Sequence, residues 1–178
     1  MTSTTTPSTA RFIAWMAVAA TVVVADQVTK WAIIEWVALY DSVPVNSFIN
    51  LTHQRNTGAA FSFLAGAGGW QRWFFVVLAT IVSIVIVVWL WRLRTQRNTL
   101  LAGGLALVLG GAVGNLIDRI AHGYVTDFVQ VWFGDWAYPS FNVADAGISV
   151  GAALLIIDAL FFSGRNDKKG DSDPKSMS

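Results

Sequence analysis

Cysteine is absent from all 178 residues, which excludes a disulfide framework, a thiol nucleophile and a cysteine-ligated zinc site. Histidine is almost absent. His53 and His122 are the only two, they lack HExxH spacing and no third ligand accompanies them, so a metalloprotease fits poorly. Charge is scarce as well: Asp, Glu, Lys and Arg make up 13% of the chain, against about 25% in an ordinary soluble domain. The net charge of +1 offers no global field for nucleic acid. What fills the chain instead is apolar, with 54% hydrophobic residues and nine tryptophans, a composition that belongs in a bilayer.

A membrane span needs about 20 mainly apolar residues at 1.5 Å rise each. Four runs satisfy this, at about 12–32, 72–91, 100–118 and 143–162. Four crossings put both termini on one side. That side carries Arg11, Arg92, Arg94, Arg97, Arg165, Lys168, Lys169 and Lys175, while the other carries only Lys30, Arg55, Arg72 and Arg119. The positive-inside rule therefore predicts cytoplasmic termini and two outward loops. Trp31, Trp36, Trp70, Trp73, Trp132 and Trp136 mark the outer interface, and Trp15, Trp89 and Trp91 the inner one, as an aromatic belt. The first run is longer than a cleavable signal core and contains Asp26 and Lys30, so it reads as a retained helix. The tails 1–10 and 164–178 are polar and read as disordered. No repeat or boundary divides the chain, so residues 1–178 read as one membrane domain.

The outer loops hold the polar chemistry. Residues 40–66 mix β-branched and aromatic residues with Pro44, Asn46, Asn50 and Gly58, which predicts short strands and turns. Residues 119–142 carry the breakers Gly123, Gly134 and Pro139 among aromatics, which predicts a loop lying along the interface; His53 in the first outer loop and His122 in the second read as surface-loop residues.

Two aspartates frame that second loop: Asp127 in GYVTDF and Asp145 in FNVADAGI. A charged group at a membrane costs a few kcal/mol and points to function. Two carboxylates sharing a site push their pKa values apart, so that one keeps a proton while the other deprotonates water. This is metal-free peptide hydrolysis chemistry. Asn142 and Asp145 have the spacing of an N-cap and a third helical residue, which favours the Asp145 carboxylate. Taken singly, Asp145 is also readable as a helix-start acid and Asp127 as a loop acid. Asp158 lies 13 residues past Asp145, about 20 Å deeper, and cannot join them. Asp26 and Lys30 have i,i+4 spacing, suited to an ion pair that lets a helix end tolerate charge. Asn115, Asp118 and Arg119 share a face and suit either cross-linking of helices or a site. Gly110/Gly114 and Gly147/Gly151 are small-xxx-small pairs that predict contact between the third and fourth helices. A rival serine–lysine chemistry with Ser47, Ser62 or Ser140 needs a neutral Lys30; Asp26 opposes this, and a snorkelling lysine is the simpler expectation. A different class, an ion-coupled transporter using intramembrane acids, calls for acids near the midplane.

The ordered segments DQVTK (26–30), NTGAAFSF (56–63), GAVGNLIDR (111–119), GYVTDF (123–128) and FNVADAGI (141–148) resemble the bacterial lipoprotein signal peptidases, or signal peptidase II. The resemblance covers nearly the whole membrane region. It implies an all-α fold of four transmembrane helices with a small extracytoplasmic β-cradle, and an inner-membrane aspartyl endopeptidase sensitive to globomycin. Its substrate would be a prolipoprotein, cut just before a diacylglyceryl-modified cysteine. The catalytic pair corresponds to Asp127 and Asp145, not Asp118. Asn56, Asn115, Arg119 and Asn142 correspond to pocket residues, and Asp26 and Lys30 to architectural support. No metal or cofactor is expected, and the chain is read as a monomer contacting membrane lipid. Trp132 and Trp136 suit either a lid over the site or plain interface anchors.

Overall fold

The structure, a computed structural model, describes residues 9–58 and 70–161. Four helices long and apolar enough to cross a membrane form a bundle: α1 (Thr9–Trp36), α2 (Trp70–Leu93), α3 (Thr99–Ala121) and α4 (Val143–Phe161). The predicted spans agree apart from their ends; α1 begins inside the stretch expected to be a disordered tail, since Thr9 and Ala10 are already helical. The rest of both predicted tails, and Ser62 with the end of the first outer loop, lie outside the described residues.

Helix α3 is the central one. Half of its apolar stretch is buried, against 11% for α1 and for α2, because its small residues let neighbours approach closely. The predicted contact of α3 with α4 is present, with Gly151 against Gly104 and Val108, Gly147 against the Leu107 carbonyl and Gly114 against Ala144, while Gly110 of the predicted set turns instead to α1. A Cβ on Gly110 would meet Val22 and the Ala19 carbonyl of α1, whereas one on Gly111 would collide with the Ala144 carbonyl of α4. Gly151 packs on the Gly104 carbonyl. Small residues thus line two faces of α3, one for each neighbour. The outward faces of α1 and α2 remain apolar and exposed, for example Val24, Trp31, Val77, Ile81 and Ile84, as a lipid-facing surface requires.

Both connections on one side of the bundle contribute to an antiparallel sheet of order β1-β2-β3-β4: β1 (Ser42–Pro44), β2 (Ile49–Asn56), β3 (Val125–Phe133) and β4 (Trp136–Ala137). The second connection is therefore not an interfacial loop throughout. The nine residues of β3 find backbone partners on β2, on β4 and at Phe141, which a loop laid in a low-dielectric interface would leave open. Helix α3 is capped at His122 and followed by Gly123, whose φ of 84° suits glycine at this position after a helix; its N–H donates to the Arg119 carbonyl at 3.2 Å. That stop turns the chain straight into β3.

Candidate active site

Asp127 lies on β3 opposite Gln54 of β2. Two residues further, Val129 bridges to Phe141, with Phe141 N–H donating to Val129 O at 3.0 Å and Val129 N–H to Phe141 O at 2.8 Å. The strand thereby carries one aspartate and also anchors the chain just before Asn142 and α4, which carries the other. Asn142 caps α4: its Oδ1 accepts from Asp145 N–H at 2.9 Å, and its own N–H donates to Asp145 Oδ2 at 3.2 Å. This reciprocal box fixes the Asn142 amide orientation, so its Nδ2 turns outward and donates to Asp127 Oδ1 at 2.7 Å.

Two further amides complete the pair's surroundings. Asn56 at the end of β2 donates to Asp127 Oδ2 at 2.9 Å, held by Gly58 N–H on its own Oδ1. Asn115 of α3 donates to Asp145 Oδ1 at 2.8 Å and accepts from Lys30 Nζ at 3.0 Å. Asp127 is 3% exposed, so burial pushes its carboxyl up to about 6, Asp145 adds to that rise, and the amides of Asn56 and Asn142 with the charge of Lys30 pull against it.

Behind Asn115 sits a second, separate cluster. Lys30 pairs with Asp26 at 2.7 Å and Asp118 at 3.0 Å, and all three are buried. Lys30 is not a snorkelling side chain: at 3% exposure its ammonium is held inside by two carboxylates and an amide, which together replace its hydration. No serine is among these partners. Asp26 also accepts from Ala144 N–H at 2.9 Å, and Asp118 from Thr126 N–H at 3.2 Å. Gln27, to which the sequence reading assigned no role, donates to Asp118, Asp26 and the Gly114 carbonyl. Its neighbours in DQVTK were its signal, since residues 26, 27 and 30 fall on one helical face. Arg119 donates to the Asn115 carbonyl at 3.1 Å and stacks over Phe75 at 5.0 Å.

All the predicted site residues are thus brought together, while Asp158 lies apart on α4, accepting both bonds from Asn98. His122 is exposed and stacks on Tyr124. His53 is not a surface residue: it is 4% exposed with Nδ1 at 2.9 Å from the Val37 carbonyl, because the sheet folds back on the end of α1. Trp132 lies on β3 with its indole N–H on Gln130, while Trp136 is exposed and stacks on Phe133. Among the described residues no cluster of three or more His, Cys, Asp or Glu has the arrangement to hold a metal ion. An apolar groove of about 520 Å³ runs between α1, α2 and α3, lined by Met16, Val23, Ser83, Val87 and Val113 among others. It reaches toward the site, as Val24 and Val113 also line it, but it carries no ionisable group.

Comparison with known proteins converges on one family. The sequence profile described as signal peptidase (SPase) II matches residues 18–161. A lipoprotein signal peptidase of Acinetobacter baumannii is 46% identical over 158 residues, covering 89% of each chain. One of Hydrogenovibrio crunogenus is 47% identical over 163 residues, covering 92% of this chain and 93% of that one. A solved bacterial membrane enzyme, crystallised by the in meso method at 1.9 Å, superposes with a TM-score of 0.71 at 34% identity, covering 84% of this chain and 94% of its own. No support for a transporter emerges from these likenesses.

Proposed function

The chain belongs to the signal peptidase II family, and from that premise we propose that it removes the signal peptide of prolipoproteins with Asp127 and Asp145 as its catalytic pair. It is an aspartic endopeptidase and a multi-pass bacterial membrane protein. The observation that carries the assignment of the pair is a linkage of amides: Asn142, fixed as a helix cap by the Asp145 backbone N–H at 2.9 Å, donates from Nδ2 to Asp127 Oδ1 at 2.7 Å, while Asn115 donates to Asp145 Oδ1 at 2.8 Å.

Charge counting shows why the pair shares a proton. Asp26, Asp118 and Lys30 sum to −1; adding Arg119 brings the total to zero, so two ionised catalytic carboxylates would leave −2 in a largely buried volume. One proton halves that. Burial favours the proton on Asp127. The ionised member takes a proton from water as the water attacks the scissile carbonyl. The protonated member donates to the developing oxyanion; as the C–N bond breaks, the proton taken from water passes to the leaving amine and the hydroxyl proton of the intermediate returns to the dyad, which regenerates its single proton. Asn56, Asn115 and Asn142 hold the two carboxylates in register, Arg119 supports the substrate backbone, and Asp26 and Lys30 anchor Asn115 and the start of α4.

The substrate reading extends to a cut immediately before a diacylglyceryl-modified cysteine. A dyad at the membrane end of the bundle, beside an open apolar groove, supports a substrate that is lipid and peptide together, with acyl chains or the signal helix in the hydrocarbon and the scissile bond at the water interface. The distribution of Lys and Arg supports cytoplasmic termini and an outward dyad. All four helices and the sheet frame the site, which supports a single membrane domain acting as a monomer. The test is cleavage of a diacylglyceryl prolipoprotein by purified protein in detergent: wild type cuts, and Asp127→Asn and Asp145→Asn do not. Cleavage surviving in either variant refutes the pair.

A further inference from the structure

We propose that the end of the bundle remote from the dyad holds the phosphate of an anionic phospholipid between Arg11 and Arg97. This site is independent of the catalytic reading. Arg11 lies 15 residues before Asp26 on α1, about 22 Å along the helix, which places it at the opposite membrane interface.

Three observations converge there. First, charge is one-sided. Arg11, Arg92, Arg94 and Arg97 cluster at this end, and among the described residues the ion pairs all involve Lys30 at the other end. The nearby acid is Asp158, which is 3% exposed and receives both hydrogen bonds of the Asn98 amide; the local sum is therefore four positive charges less one, or +3. The sequence beyond α4 adds Arg165, Lys168, Lys169 and Lys175 against Asp167, Asp171 and Asp173, so it supplies no net counter-charge.

Second, two of these arginines line one cavity. A space of about 360 Å³ is bounded by Arg11, Trp15, Gln96, Arg97, Asn98 and Thr99. Arg11 is drawn over it by donating to the Gln96 carbonyl at 3.2 Å, and Arg97 is exposed with no hydrogen bond or ion pair to any described residue. Arg94, by contrast, is engaged: it donates to the Trp91 carbonyl at 2.7 Å and stacks over the Trp91 ring at 4.2 Å. Third, α3 begins in this cavity. Asn98 caps it, taking Leu101 N–H on its side chain and Ala102 N–H on its carbonyl, which leaves the N–H groups of Thr99 and Leu100 without intrahelical acceptors.

Two guanidiniums line this cavity beside the first residue of a helix, and only one of them has a protein acceptor, the Gln96 carbonyl, so the donors outnumber the acceptors and a phosphodiester fits them. The position selects a lipid over a soluble phosphate, because Trp15 forms one wall and Trp89 and Trp91 lie exposed at the same level, as at a headgroup boundary. Charge asymmetry alone explains which side these arginines occupy; it does not explain why two of them share a cavity with a helix start.

The test is native mass spectrometry of the full chain from micelles containing equal amounts of phosphatidylglycerol and phosphatidylcholine. Wild type is expected to retain phosphatidylglycerol preferentially, and Arg11→Gln/Arg97→Gln to lose that preference by about 25-fold, at roughly fivefold for each basic residue. Arg94→Gln removes the same charge from the same end but not from the cavity, and is expected to keep most of the selectivity. Arg97→Gln alone, which breaks no contact among the described residues, is the reading to use if the double variant unfolds. Equal retention of both lipids by wild type overturns the proposal. So does an equal loss in Arg94→Gln and Arg97→Gln, which would indicate diffuse charge only. Displacement of the lipid by millimolar inorganic phosphate would make it a soluble-anion site and overturn the lipid assignment.

Discussion

Asp26 and Asp118 meet across an ammonium, whereas Asp127 and Asp145 meet across amides. The two pairs share Asn115 as a neighbour, since it accepts from Lys30 and donates to Asp145. In the first pair Lys30 neutralises charge at 2.7 and 3.0 Å, while the Ala144 N–H binds the other oxygen of Asp26 and the Thr126 N–H shares Oδ2 of Asp118 with Lys30. In the second pair neutral NH₂ groups orient the carboxylates without cancelling their charge, so mutual repulsion and burial keep a proton in play. The same residue type is held by a cation in one place and by amides in the other, and on the proposed assignment that difference divides architecture from chemistry.

The sharpest way to break this contrast is at the acids and the lysine themselves. Asp127→Asn and Asp145→Asn are each expected to lower kcat by at least about 10²–10⁴-fold while leaving the thermal midpoint in detergent no lower than wild type, because they remove a buried repulsion. Lys30→Met should do the reverse in kind. It strands two buried carboxylates and is expected to cost about 3–5 kcal/mol, read as a fall in the melting midpoint. A Lys30→Met variant as stable as wild type would erase the distinction between the clusters.

The pH profile sharpens it further. With Asp127 near 6, kcat/KM of the free enzyme is expected to fall above about pH 6 as the shared proton is lost. The sign for stability follows: the folded pKa lies above the ordinary 3.8, so the contribution of that proton is fully present below 3.8 and is lost as pH rises through about 6. Asn56→Ala removes a bond that lowers this pKa, so the alkaline limb should move to higher pH. Loss of one charge-assisted hydrogen bond, about 1.5–3 kcal/mol, predicts a fall in kcat/KM of roughly 10- to 100-fold. A limb unmoved in Asn56→Ala would assign it to another group. The smallest effect is expected at Gly123→Ala, where φ is 84° and a Cβ would approach Arg72 Nη1 at 3.3 Å. A cost of about 1 kcal/mol should appear in the melting midpoint with little change in rate.

Much of this was legible in the chain. Apolar runs of span length need only composition, since lipid selects helices, and the four spans follow within a few residues. Asn142 and Asp145 declared a capped helix start by their spacing alone. The segment 125–133 misled, because its aromatics match an interface loop as well as a strand, and strand pairing depends on a partner some 70 residues away in sequence. Lys30 misled for a related reason: its i,i+4 neighbour Asp26 was visible, but Asp118 on another helix, which makes full burial tolerable, was not.

Composition and local spacing therefore decided what this protein is by themselves: a four-span membrane chain with acids gathered at one end, no thiol chemistry and a motif set shared with its family. Only the tertiary structure decided which acids meet a cation and which meet amides. That choice rests on contacts between α1, α3, β3 and α4, where Lys30 reaches Asp118 and Asn142 reaches Asp127. Whether a buried carboxylate is neutralised or left to share a proton depends on the partner within about 3 Å, and distance in space is what a linear order of residues does not carry.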